Sequence, residues 1–155
     1  MTVKYFEFLT KHIALSQSLV VLQFLTAAAL VLSASFSGIH LSCLLVMAIG
    51  ISLGLWAIAA IGPSRVAMSP DVKPSTELVT AGPYRFVRHP MYTALMLFCG
   101  GFVFAPFDWW KIGAWCILTL VLVAKSRIEE RQLMERFSEY QAYAKRTWRF
   151  VPLIV

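Results

Sequence analysis

The sequence predicts an all-α integral membrane protein: about four transmembrane helices in a single domain, 1–155, followed by a C-terminal amphipathic helix. Three observations carry this prediction. Of the 155 residues, 59% are hydrophobic and mean hydropathy is +0.70, beyond the range of an ordinary soluble domain. Long runs contain no ionisable side chain except an edge histidine, and the basic residues gather in alternate connections.

A spanning helix needs roughly 20 mostly apolar residues. Residues 13–36 and 39–62 each supply such a run without a Lys, Arg, Asp or Glu. Two shorter runs, 90–107 and 109–125, give the third and fourth spans, and Trp109 and Trp110 fall between their apolar stretches at the level of an interfacial aromatic belt. The connection 63–89 carries Pro63, Pro70, Pro74 and Pro83. Each fixes φ and removes an N–H donor, which excludes a long helix. Leu78, Val79, Tyr84, Phe86 and Val87 give the second half of that loop apolar groups with which to order itself. Over 126–147, Glu130, Leu133, Phe137, Tyr140 and Ala144 recur at spacings of three and four, opposite Arg131, Glu135, Glu139 and Lys145. The pattern predicts an amphipathic helix lying on the membrane surface.

Charge orients these elements. Lys4 and Lys11 precede the first span and the turn at Ser37 and Gly38 is uncharged. Arg65, Lys73, Arg85 and Arg88 crowd the second connection, Asp108 and Lys111 read as a solvated third turn, and seven basic residues follow from Lys125 to Arg149. Short basic loops stay on the cytoplasmic side, so both termini are expected there. The net charge of +6 borders apolar spans and accompanies no nucleic-acid reader motif. Membrane lipids or an anionic ligand, and not nucleic acid, are therefore the expected partners.

Cys43, Cys99 and Cys116 lie within spans, with no CxxC pair and no His at ligand spacing. They read as packing residues, with neither metal nor disulfide expected. His40 reads as an interfacial anchor, and a transporter is disfavoured because the first two spans lack midplane charge.

Two places resist a purely structural reading. Glu130 sits inside the apolar stripe of the C-terminal segment, where a desolvated carboxylate needs a partner. Arg88 or Arg149 could pair with it structurally, or a cationic ligand could. In GPYRFVRHPMY, Pro90 suits the first position of a helix and His89 its cap. The helix start then offers backbone N–H groups at its positive end, which favours a carboxylate or phosphate. Tyr92 follows on the same helical side.

These residues resemble the isoprenylcysteine carboxyl methyltransferase family and its bacterial relatives, marked by RHPxYxG and a downstream EExxL…F…Y..Y…R..P. Arg88, His89, Pro90 and Tyr92 match the first motif; Glu129, Glu130, Leu133, Phe137, Tyr140, Tyr143, Arg149 and Pro152 match the second in order and spacing. Ala94 stands where the family usually has Gly, Ser138 replaces a Gly, and Thr147-Trp148 replaces Val-Pro. The resemblance covers roughly residues 60–155 and, with the small size of the chain, implies the inner membrane of a bacterium. It implies S-adenosylmethionine bound between the last spans and the C-terminal segment, and methyl transfer to a lipophilic or small-molecule acceptor, with a prenylcysteine-type carboxylate, an amine and a thiol all open. On this reading Arg88, His89, Pro90, Tyr92, Glu129, Glu130, Tyr140 and Tyr143 bind the cofactor, and Glu130 and Arg149 are the catalytic candidates. Two other classes stay open: a non-catalytic membrane assembly or scaffolding protein, and an NADPH-dependent membrane reductase.

Overall fold

The computed structural model describes residues 2–35, 39–66 and 77–151. The turn at Ser37 and Gly38, and Pro70, Lys73, Pro74 and Pro152, lie outside the described residues, as do the side chains of Lys4, Lys11 and Arg65. Among the described residues the helices are α1 (Thr2–Leu32), α2 (Leu41–Ile61), α3 (Pro90–Val103), α4 (Trp109–Arg136) and α5 (Tyr140–Ala144), and no strand occurs. The all-α class is borne out.

Two stretches, Ala14–Leu32 and Leu41–Ile61, are long and apolar enough to cross a membrane. Only 11% of the first and 17% of the second is buried inside the molecule, unlike the core helices of a soluble domain. Leu22, Phe24 and Leu25 on α1 and Leu41, Leu45, Ile49 and Leu55 on α2 all face outward. So continuous an apolar exterior calls for lipid around it.

The other two helices depart from the expected runs. With 14 residues, α3 is about 21 Å long at 1.5 Å per residue, short of a hydrocarbon layer of about 30 Å. In α4, with 28 residues and about 42 Å long, the fourth apolar run and the first part of the charged segment form one continuous helix. The expected single amphipathic helix over 126–147 is corrected. The backbone leaves helical geometry at Phe137 (φ −116°, ψ 113°) and resumes at Tyr140. The bend folds Tyr140 and Tyr143 back onto Leu133, with Leu78, Phe137 and Ala144 around them. An unbroken helix would have carried both tyrosines past the end of the bundle.

Helix α3 is central, packing on α2, α4 and α1, while α4 also packs on α1. Leu30, Met47, Cys99, Phe102, Leu118 and Leu122 form the shared core. The approach of α2 to α3 depends on Gly50, where a Cβ would lie 2.7 Å from the Phe98 nitrogen and 2.8 Å from the Ala94 oxygen. Ala94 thus contributes to a helix contact. Cys43 and Cys99 are buried, and Cys116 is exposed.

The solvated turn expected at Asp108 and Lys111 is half corrected. Asp108 is exposed, but Lys111 is buried, donating from Nζ to the carbonyls of Ser33 (3.3 Å), Ala105 (3.3 Å) and Pro106 (2.8 Å). Helix ends leave carbonyls without N–H partners; this ammonium bonds one past α1 and two in the α3–α4 turn, where Ala105 O also accepts from the Ser35 N–H at 3.4 Å.

Candidate functional site: an ion cluster at the start of α3

The proline-broken loop shapes the entry to α3. Pro63 and Pro83 each open a short 3-10 turn, over Pro63–Arg65 and Gly82–Arg85. Gly82 takes a left-handed φ of +59°, with its Cα face against Ala60 of α2. From there the chain runs beside the C-terminal segment. Trp148 N–H donates to Phe86 O (3.0 Å), Arg88 N–H to Trp148 O (2.7 Å) and His89 N–H to Arg149 O (3.1 Å). The Tyr143 hydroxyl adds a bond to Tyr84 O at 2.7 Å, and the Thr93 hydroxyl one to Phe150 O at 2.8 Å. This ladder brings Arg88, His89 and Arg149 to one place. The C-terminal part of α4 brings Glu129 and Glu130 to meet them.

Glu130 is the hub. Its Oε1 accepts from Arg88 Nε (2.8 Å), His89 Nε2 (3.2 Å) and Arg149 Nε (3.2 Å), and its Oε2 from Arg149 Nη2 (2.6 Å). Arg149 therefore grips the carboxylate in two-pronged fashion. The question left open by the sequence is settled in favour of the protein's own cations, and both arginines take part. Burial works to raise the Glu130 carboxyl, but donation from His89, Arg149 and Arg88 more than reverses this and holds it far below the usual carboxylate range.

His89 caps α3 through its backbone and makes no side-chain cap bond. Its ring lies between two carboxylates, Nδ1 at 3.5 Å from Glu129 Oε2 and Nε2 at 3.2 Å from Glu130 Oε1. Carboxylates only accept, so this arrangement favours a proton on both ring nitrogens. Burial opposes that charge, yet the two glutamates outweigh it and raise the histidine above its ordinary value of 6.5. Tyr92 stacks on the imidazole with ring centroids 5.3 Å apart and donates its hydroxyl to Glu129 Oε2 at 3.2 Å. Three cations thus face two carboxylates, leaving a surplus positive charge.

The remaining predicted residues divide. Pro90 is buried as the first residue of α3. Tyr143 is committed to Tyr84 O, and burial pushes its hydroxyl up to about 12. Tyr140 is different: its ring is buried, and its hydroxyl has no hydrogen-bond partner among the described residues. A buried unsatisfied hydroxyl is uncommon and costly. Among the described residues it is the one buried side-chain nitrogen or oxygen without a hydrogen-bond partner. Glu129, with its side chain 32% exposed, is the accessible carboxylate, and Arg149, at 21%, the most accessible cation.

Residue-type reasoning missed three participants. The carbonyls of Ala144 (2.7 Å) and Thr147 both accept from Arg88 Nη1, and backbone acceptors leave no mark in a sequence. Lys125, counted among the surface cations, is buried; it donates to Gln23 Oε1 of α1 at 2.5 Å and lies over the Tyr92 ring at 5.4 Å. Its position one helical turn before Glu129 was the available signal.

A model of the phospholipid methyltransferase family matches residues 38–140, two thirds of the chain, and encloses both the His89–Tyr92 start and the Glu129–Glu130 pair. The chain belongs to this family. The expected likeness to the isoprenylcysteine carboxyl methyltransferase group is thereby supported at the level of the wider methyltransferase family. A second comparison finds the cobalt-zinc-cadmium resistance protein CzcN of Cupriavidus metallidurans, 32% identical over 94% of this chain, and the nickel-cobalt-cadmium resistance protein NccN of Alcaligenes xylosoxydans xylosoxydans, 34% identical over 61%. The chain spans 66% of the length of the first relative and 45% of the second. No solved structure matches this phospholipid methyltransferase family member. Among its described residues, no group of three or more His, Cys, Asp or Glu is placed to hold a metal ion.

Proposed function

We propose that this protein is an S-adenosylmethionine-dependent methyltransferase of the inner bacterial membrane, acting on a lipophilic or small membrane-accessible acceptor. The observation that carries the reading is the ion cluster itself. In a chain of a methyltransferase family, it offers a positive surplus, an accessible carboxylate and an unpaired buried hydroxyl side by side.

The groups present fit this cofactor, which carries a carboxylate, an ammonium and a sulfonium. When bound, it supplies an electrophilic methyl group. Arg149 uses two of its guanidinium N–H directions on Glu130 and turns its remaining donors to the cofactor carboxylate. Glu129, oriented by Tyr92, faces the cationic part. Tyr140 contributes its free hydroxyl. Glu130 is a positioning residue: fully engaged by Arg88, His89 and Arg149, it sets their geometry and touches no ligand.

Methyl transfer demands little proton movement, so alignment and exclusion of water supply most of the rate. The length of α3 serves both. A helix of about 21 Å is shorter than a layer of about 30 Å, so at least one of its ends lies inside that layer, and at a recessed His89 end an acceptor embedded in lipid would arrive sideways. Four crossings, with both termini and the site on the cytoplasmic face, complete this reading, and carboxylate, amine and thiol acceptors all suit it.

The test is titration calorimetry of the detergent-purified full chain with S-adenosylhomocysteine. Wild type binds, and Glu129→Gln and Arg149→Ala each weaken binding about tenfold or more, as loss of a charged hydrogen bond predicts. Absence of binding by folded wild type overturns the reading.

A further inference from the structure

A second polar recess lies behind the ion cluster and has no part in the reading above. It has a volume of about 290 Å³ and is lined by Thr80, Arg85, Tyr143, Arg146 and Thr147. The lining holds two guanidinium groups and no carboxylate. Its back wall is fixed, because the Thr147 hydroxyl donates to Tyr143 O at 2.9 Å and the Tyr143 hydroxyl to Tyr84 O at 2.7 Å. The two arginines keep free donors: Arg146 commits Nε to Ala142 O at 3.3 Å, and Arg85 lies over the Phe86 ring at 5.7 Å.

We propose that this recess binds a phosphate group. Arginine is always charged, and its planar fork matches phosphate oxygens two at a time. Two such forks with the Thr80 hydroxyl beside them suit one phosphate better than a carboxylate, which offers fewer acceptor oxygens. The volume is at the small end for ligand sites and fits a headgroup-sized anion. Phe86 (47% exposed) and Trp148 (38%) flank the recess in the chain and leave apolar surface beside it, so the phosphate of a lipid headgroup and a free phosphate are the two sources to separate. Bound there, the anion also steadies the segment whose Thr147 carbonyl holds Arg88.

The test uses the full chain in detergent with two probes, inorganic phosphate and dihexanoyl phosphatidylglycerol, titrated with and without added salt. At least one probe binds saturably, weakening as salt rises, and Arg85→Gln with Arg146→Gln weakens it at least tenfold, while Arg85→Lys with Arg146→Lys, which keeps the charge but loses the planar fork, weakens it by a smaller factor. Binding of the lipid alone assigns a headgroup, and binding of inorganic phosphate assigns a soluble source. Saturation by neither probe, or equal binding by the double Gln variant, overturns the proposal. S-adenosylhomocysteine affinity and the thermal midpoint, measured on the same samples, are unchanged in the double variants. Phosphate binding without S-adenosylhomocysteine binding would retain this site and discard the methyl-transfer reading.

Discussion

Replacing Glu130 with Gln tests the centre of the cluster. The side chain is 6% exposed and its partners Arg88, His89 and Arg149 are 12%, 4% and 21% exposed, so the cations left behind are poorly solvated. Removing one member of a buried ion pair costs about 3–5 kcal/mol. Gln preserves the shape and one acceptor oxygen, but turns an amide donor toward guanidinium donors that already lack a counter-charge. Partial exposure of Arg149 favours the lower end, so the expected loss is about 3 kcal/mol, roughly a hundredfold in the folded-to-unfolded ratio. Equilibrium unfolding in mixed micelles with a rising fraction of denaturing detergent, followed by tryptophan fluorescence, measures it. A double-mutant cycle with Arg149→Gln should show coupling within the range of about 0.5–3 kcal/mol seen for groups in one network. A loss below about 1 kcal/mol, or additive effects in the cycle, would refute the view of Glu130 as hub.

The pH dependence follows from two groups of opposite sign. Glu130 is held below its ordinary value of 4.5, so its contribution is present above that value and disappears as pH falls through the depressed one. His89 is raised above 6.5, so its contribution is complete below 6.5 and is lost as pH climbs through the raised value. The thermal midpoint is therefore expected to be highest between about pH 4.5 and 6.5, and His89→Gln should remove the decline on the alkaline side; a midpoint still rising beyond pH 8 in wild type would contradict this. Tyr140→Phe deletes an unpartnered hydroxyl, so unliganded stability should hold or rise while S-adenosylhomocysteine affinity falls by up to about tenfold, the value of one hydrogen bond; equal affinity in calorimetry would remove Tyr140 from the site. Gly50→Ala forces a methyl against the α3 backbone and is expected to cost about 1–3 kcal/mol in the same micelle assay, and a neutral result would show that α2 and α3 can separate freely.

The apolar runs around α1 and α2 are legible because a missing charge over twenty residues has few physical meanings. The start of α3 is legible for the same kind of reason, since Pro90 after His89 forbids helical geometry before it and tolerates it after. Glu130 announced itself as a carboxylate in an apolar stripe. Arg88 and Arg149 stood as alternative partners, but their joint engagement together with His89 did not show, because they reach it from 42 and 19 residues away through a backbone ladder that has no side-chain code. The break after Arg136 was hidden by residues of ordinary helical propensity, and tertiary packing of Tyr140 and Tyr143 on Leu133 overrides that propensity. Lys111 misled because a lysine beside an aspartate in a short turn reads as solvated, whereas three backbone carbonyls converge on its ammonium.

The ladder between Phe86–His89 and Trp148–Arg149 also dictates an order of events during synthesis. Arg88 finds its carbonyl acceptor on Thr147, 59 residues later, long after the first two helices have emerged from the ribosome. Until then Arg88, His89 and Glu130 lack the carbonyl and guanidinium partners that Thr147, Trp148 and Arg149 supply. The segment around Thr147 and Arg149 acts as a latch: on a nascent chain that stops short of it, Arg88 lacks its Thr147 acceptor and Glu130 its two-pronged partner.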